Sequence, residues 1–288
     1  MKKYIIGFIL LGFALFFFGT DKGRMAKQVA KSYLVKPVYI NEEGTTISQR
    51  CLLPEGFVRT SYPEGSFQNY LQQYPLKPFG AKVINYNGED YLYQGGHVGV
   101  LELPVPDNGL QQCADALIRI RSEYLWQQNR KQEIGFNFTS GHYCSWQQYA
   151  DGFRPIIDGN KVAFIKTVAK DHSEANFYRY LNLIFMYSGT LSLYDELPQV
   201  KAVDEVEVGD MLIYPGSPGH VIMVVDKAVH TNGRKLFIFA QGNTPAQSVH
   251  VLKNPNNSNL SPWYEIEMGE YLEIPTYYFN EVKFVRFK

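Results

Sequence analysis

At 288 residues, with 45% hydrophobic and 19% charged, the chain is long enough for one large domain or two small ones built on a substantial core. Its 28 basic and 28 acidic residues cancel to a formal net charge of zero, which argues against a nucleic-acid partner held through phosphate neutralisation. Aromatic residues reach 15%, including 21 tyrosines, and core packing is preferred for them over a sugar- or peptide-lined groove.

The chain opens with the basic residues Lys2 and Lys3, followed by the uninterrupted apolar run YIIGFILLGFALFFFG, 16 residues long. Residues 1–20 are therefore expected to be a signal peptide or an N-terminal membrane anchor. No cysteine follows the run, which removes a lipoprotein anchor, and Gly19 and Ala26 are weak cleavage candidates. This predicts export to the periplasm or cell envelope. Cleavage and retention on the inner membrane both remain open, and the membrane is contacted only through this segment. An oxidising compartment permits disulfides among the three cysteines. A Cys51–Cys144 pair would leave Cys113 free; three reduced, buried thiols are the equal alternative.

Residues 21–54 are polar without a sustained period and read as a linker; residues 55–288 read as a single α+β domain. Ser66 is expected to cap a short helix carrying Phe67, Tyr70 and Leu71. Asn87-Gly88 marks a hairpin between AKVINYN and EDYLYQGGHVGVLELPV. After the break at Asp107-Asn108-Gly109, LQQCADALIRIRSEYLW reads as a helix. Cys113, Leu117, Ile120 and Tyr124 share its apolar stripe, and Asp115, Arg119 and Ser122 lie opposite. FYRYLNLIFMYSGTLSLYDEL predicts a second helical segment broken at Gly189, and strands dominate from residue 209 onward.

Cys113 stands at the predicted start of its helix, where backbone N–H groups and the helix dipole favour a thiolate. GDMLIYPGSPGHVIMVVD reads as strand, tight turn and a strand opening on His220, and the next strand, KLFIFAQ, ends on Gln241. In this order the three suit nucleophile, general base and orienting amide, with the Cys113 N–H and a side-chain amide, Gln112 or Gln111, as oxyanion donors. Asn243 is an alternative to Gln241. Each residue also has a plain structural reading, Cys113 as a buried helix cysteine and His220 as a satisfied core histidine. His97, which opens a similar stretch, ranks second as the base. His142, Cys144 and His172 match no standard zinc spacing, so neither metal nor other cofactor is expected. His230 and His250 read as loop and surface residues. Trp146 and Trp263, with Tyr149 and Tyr264, are candidates to border a substrate groove in which Arg154 would recognise a carboxylate; packed aromatics and a solvated arginine are the competing reading.

The segments PEGSFQNYLQQYPLKP, LQQCADALIRIRSEYLW, FNFTSGHYCSW, YSGTLSLYDEL, GDMLIYPGSPGHVIMVVD and AQGNTPAQSVHVLKNP together resemble a bacterial domain family of unknown function, numbered 4846. The resemblance implies an exported bacterial protein and no established activity. The Gly-Asp-strand, loop, His-strand hairpin is also similar to that of the NlpC-like and CHAP amidases, which have a papain-like fold and cut amide bonds of bacterial cell walls. That likeness implies Cys113, His220 and Gln241 as the catalytic set on an antiparallel sheet. About 107 residues separate Cys113 from His220, roughly twice the usual interval, so an insertion over about 131–205 is expected. Gln112-Cys113 also replaces the usual Asp-Cys pair. The leading expectation is an exported thiol protease-like hydrolase acting on peptidoglycan peptides or another envelope ligand. The alternative is a non-catalytic envelope protein that binds a glycan, peptide or protein partner.

Overall fold

A computed structural model of the protein describes residues 20–288; the apolar run expected to be a signal peptide or anchor lies outside them. Among the described residues seven α-helices and fourteen strands follow in chain order. The helices are α1 (Asp21–Leu34), α2 (Ile47–Arg50), α3 (Phe67–Gln72), α4 (Cys113–Gln127), α5 (Trp146–Ala150), α6 (Glu174–Tyr187) and α7 (Thr190–Glu196). The strands are β1 (Phe57–Arg59), β2 (His97–Val100), β3 (Gly135–Asn137), β4 (Tyr143–Ser145), β5 (Phe153–Asp158), β6 (Lys161–Lys166) and β7 (Gln199–Val200). They continue with β8 (Met211–Tyr214), β9 (His220–His230), β10 (Lys235–Gln241), β11 (His250–Leu252), β12 (Leu272–Ile274), β13 (Tyr277–Phe279) and β14 (Phe284–Val285).

The organising element is an antiparallel sheet in the order β2-β11-β10-β9-β8-β14-β7, with β1 also paired to β9. Its central strand β9 is a nearly continuous apolar run, as a strand covered on both faces requires. Asp226 interrupts that run and is fully buried. It is compensated by Arg59, whose Nε donates to Oδ2 at 2.8 Å, and by Gln72 Nε2, which donates to Oδ1 at 2.8 Å. The fold is α+β with antiparallel sheets, as expected.

Local signals in the sequence match the elements closely. Ser66 Oγ accepts the Asn69 N–H at 3.2 Å and starts α3. Gly88 has φ +84 at the turn after Asn87, although the flanking segments pair only through the Ile84–Asp90 bridge. Gly189 separates α6 from α7.

Two expectations change. Residues 21–54 are not a linker. Helix α1 docks on the domain, with Ser32 O accepting from Lys253 Nζ at 2.9 Å and Tyr33 Oη accepting the Gln94 N–H at 3.1 Å. Ile47 and Cys51 lie in the core. Buried Arg50 donates to Gly44 O, Val98 O and Lys77 O. Side-chain-to-backbone bonds of this kind leave no periodic signature. The polar face expected on α4 is also largely buried, because α6 of the intervening segment packs on it. Arg119 is satisfied there by Gln111 Oε1 (2.6 Å), Pro104 O (2.7 Å) and Glu123 Oε1 (2.7 Å).

The segment between α4 and β7 forms the β3–β4 and β5–β6 hairpins and helices α5–α7 around an aromatic cluster. Trp126 stacks on Phe177 with centroids 4.4 Å apart, and both pack against Trp146. Thr190, the first residue of α7, reaches back to the β8–β9 turn: its Oγ1 donates to Gly216 O at 3.2 Å and lies 3.3 Å from Gly216 N. A Cβ at Gly219 would meet that hydroxyl at 2.2 Å, so the turn closes only with glycine there.

Helix α4 packs on β9 and β10. At the end of β10 a Cβ on Gly242 would lie 2.9 Å from Ala116 Cβ and 3.0 Å from Gln112 O, so the missing side chain sets how near the helix start comes to the sheet. Gly242→Ala is predicted to destabilise the protein by roughly 1–3 kcal/mol through overpacking, read from urea unfolding. Unchanged stability would mean that the helix start shifts freely and is not held by this contact.

Candidate active site

Cys113 is the first residue of α4 and Asp115 caps the helix, accepting the Gln112 N–H on Oδ2 at 2.9 Å. A Cβ placed on Gly242, the residue after Gln241, would lie 3.6 Å from Cys113 Cα, so the start of the helix sits against the end of β10. His220 pairs with Tyr214 across the β8–β9 hairpin and is 3% exposed. Its Nε2 lies 2.8 Å from Oε1 of the wholly buried Gln241. An amide oxygen has no proton to give, so Nε2–H is the donor and the neutral ring keeps a basic lone pair on Nδ1. Tyr277 covers the imidazole with ring centroids 4.6 Å apart, and Phe279 lies behind it at 6.0 Å.

The structure therefore brings Cys113, His220 and Gln241 into one neighbourhood. Gln241, not Asn243, takes the histidine; the Asn243 amide nitrogen lies 3.2 Å from Thr276 Oγ1.

Burial governs the ionisation of the site. It lowers His220 to about 4, against the opposing effect of the Gln241 bond, and lowers His250 to about 4 as well. It raises the Cys113 thiol to about 11; the nearby Asp115 adds to the rise, and the backbone N–H groups of Ala114, Val221 and Cys113 itself oppose it. Asp115 itself is raised to about 7 by burial. Burial thus works against the thiolate expected from the helix N-terminus: with the thiol raised and the imidazole lowered, both groups are neutral at pH 7, because desolvation of the anion exceeds the helix-end stabilisation.

A cleft of about 660 Å³ opens at the start of α4. Leu110, Gln112, Cys113 and Asp115 line one side, Phe185, Met186 and Gly189 the other, and the 216–219 turn and Thr244 complete the rim. Among the described residues no lysine or arginine lines it. Gln112 is exposed at the mouth, its Oε1 accepting from Thr244 Oγ1 at 3.0 Å, which leaves the amide N–H groups as its donor end. Gln111 is fully buried against Arg119 and does not line the cleft.

The residues expected to border a substrate groove lie elsewhere. Trp146 is buried in the aromatic cluster, and Trp263 is fully buried with Nε1 donating to Leu52 O at 2.7 Å. Arg154 stacks on Tyr149, its guanidinium carbon 3.6 Å from the ring centroid, and donates to Tyr149 O and Phe153 O at 2.7 Å. Packing, not ligand recognition, accounts for these three. Tyr149 and Tyr264 are buried with them.

His97 packs edge-on against His250, centroids 5.9 Å apart, and Ser140 hydrogen-bonds His142. Among the described residues no group of three His, Cys, Asp or Glu side chains is placed to hold a metal ion. All three cysteines are free and buried, so no Cys51–Cys144 bond forms. His250 is a further correction: it is buried in β11, not on the surface, and contacts Gln241. Its sequence signal was slight, an alternation of Ser248, His250 and Leu252 with the aliphatic Val249 and Val251.

The raised thiol has a direct consequence for reactivity. Only the thiolate alkylates, so iodoacetamide labelling of Cys113 is predicted to be slow at pH 7 and to quicken by about tenfold per pH unit toward pH 10. Rapid labelling already at pH 6 would show that the thiol is ionised in the resting protein.

Neither a comparison with curated proteins nor one with solved structures gives a match. Among the described residues no helix is long and apolar enough to cross a membrane. The family described as "Domain of unknown function (4846)" matches residues 47–286, most of the chain, and the protein belongs to that family.

Proposed function

We propose that the protein is a cysteine hydrolase that cleaves amide bonds, with cell-wall peptides as its substrate class and the bacterial envelope as its place of work. One observation carries this reading: the buried 2.8 Å bond between His220 Nε2 and Gln241 Oε1, beside the cleft that Cys113 lines. The sequence of a cysteine-bearing helix, a histidine strand and an adjoining glutamine strand supports a papain-like core, with the segment over 131–205 as its insertion.

In the reaction, His220 Nδ1 takes the Cys113 proton as sulfur attacks the carbonyl carbon, so the ion pair arises along the reaction path and not before it. The carbonyl electron pair moves to oxygen, which the Cys113 N–H and the Gln112 amide stabilise. Collapse of this intermediate breaks the C–N bond, and the imidazolium protonates the departing amine. Water, deprotonated by His220, then hydrolyses the thioester. The apolar walls at Leu110, Phe185 and Met186 suit the aliphatic side chains of an extended peptide.

The competing reading is a cleft that only binds its peptide or glycan; the mostly buried, high-pKa thiol favours it. Incubation with a panel of peptidoglycan stem peptides, with products read by mass spectrometry, separates the two. Hydrolysis is expected from the wild type, with losses on the order of 10³-fold or more in Cys113→Ala and His220→Ala. Peptide binding without cleavage, equal in wild type and Cys113→Ala, would replace the hydrolase by a binding protein.

A further inference from the structure

His250 extends the site by one residue, and its role follows from counting protons along a buried chain of hydrogen bonds. His250 Nδ1 lies 2.9 Å from Ser248 O. A carbonyl only accepts, so Nδ1 carries the proton, and the neutral ring presents Nε2 as a lone pair. Gln241 Nε2 stands 3.1 Å from that lone pair and donates to it. Thr276 Oγ1 lies 3.4 Å from the same amide nitrogen, as a second acceptor. Turning the amide over would set its oxygen against the His250 lone pair, two acceptors facing each other in a buried site. The amide is therefore held with Oε1 toward His220, and His220 must protonate Nε2.

We propose that His250 is a positioning residue: through Gln241 it selects the His220 tautomer whose Nδ1 lone pair is free to act as the base for Cys113. The importance of this residue to catalysis rests on the hydrolase reading, but the tautomer itself does not. Glutamine in the orienting place makes such a partner necessary. A carboxylate accepts from either oxygen, whereas an amide orients a histidine correctly only when something fixes which end it presents. His250 and Gln241 are direct partners in the sheet, paired across β10 and β11, so backbone register brings the two together. The groups around His250 support a neutral ring: it is 4% exposed, its pKa is lowered by burial, and the neighbouring His97 is likewise lowered, to about 3.

The test is long-range 1H–15N NMR of the full chain labelled at histidine, with signals assigned from the single variants. In the wild type at pH 7, His220 is expected to carry its proton on Nε2 and His250 on Nδ1, each as one tautomer. His250→Phe, which removes the acceptor, is expected to leave His220 as a mixture of tautomers. His250→Gln, whose side-chain oxygen can accept from Gln241, is expected to restore the single form. A wild-type His220 protonated on Nδ1 overturns the inference whether or not the variants fold. So does a folded His250→Phe protein with an unchanged His220. If the tautomers are as expected but stem peptides are not cleaved, the hydrolase reading fails and the positioning role stands. If peptides are cleaved, the same variants are expected to lower kcat with little effect on KM for Phe and to recover it for Gln.

Discussion

The closeness of α4 to the β9–β10 edge is the constraint on which the rest of the site depends. It is set where β10 ends, at a glycine whose absent side chain lets Ala116 and the Gln112 carbonyl rest on the strand. That contact fixes the start of the helix against the end of β10, so the helix-borne thiol is placed by backbone packing next to the strand that carries Gln241. The sheet supplies the remaining order: β9 and β10 are antiparallel neighbours, and the buried Gln241 reaches His220 across them. The position of each group is thus a property of backbone packing, which tolerates far less drift than a loop would.

The same packing decides the electrostatics. A helix N-terminus stabilises an anion by about 1 kcal/mol, while removing a charge from water costs several. With Cys113 and His220 both nearly buried, desolvation wins for each, and the thiol rises while the imidazole falls. The pair is consequently neutral at rest. Such a site holds a basic nitrogen and a protected thiol together in the absence of substrate, with Tyr277 covering the ring.

The segment between α4 and β7 has two structural duties. It covers Arg119 on the second face of α4, where the guanidinium lies over the Tyr178 ring, and it brings the end of α6 and start of α7 to the far wall of the cleft. Thr190 ties that wall to the turn preceding His220. A change in this segment therefore reaches the hairpin through a direct hydrogen bond, and the width of the cleft is shared between the inserted helices and the sheet.

Local chemistry was legible in the sequence wherever a residue acts on its immediate neighbours. The Ser66 cap, the turn at Gly88, the helix starting at Cys113, the break at Gly189 and the strands bearing His220 and Gln241 all follow from side-chain period, capping and turn preference over a few residues. Because those elements carry the thiol, the imidazole and the amide, the His220–Gln241 pair and the place of Cys113 at a helix start were legible too. Tertiary structure alone decided what burial does to it: the direction of the Cys113 shift, the removal of Trp146, Arg154 and Trp263 to packing positions, and the docking of residues 21–54. His250 belongs with these, since its meaning lies in a cross-strand partner nine positions away and in a carbonyl at Ser248. Periodicity records which face of an element is apolar. It carries no record of which other element will cover that face, and desolvation, the largest effect in this site, depends on that.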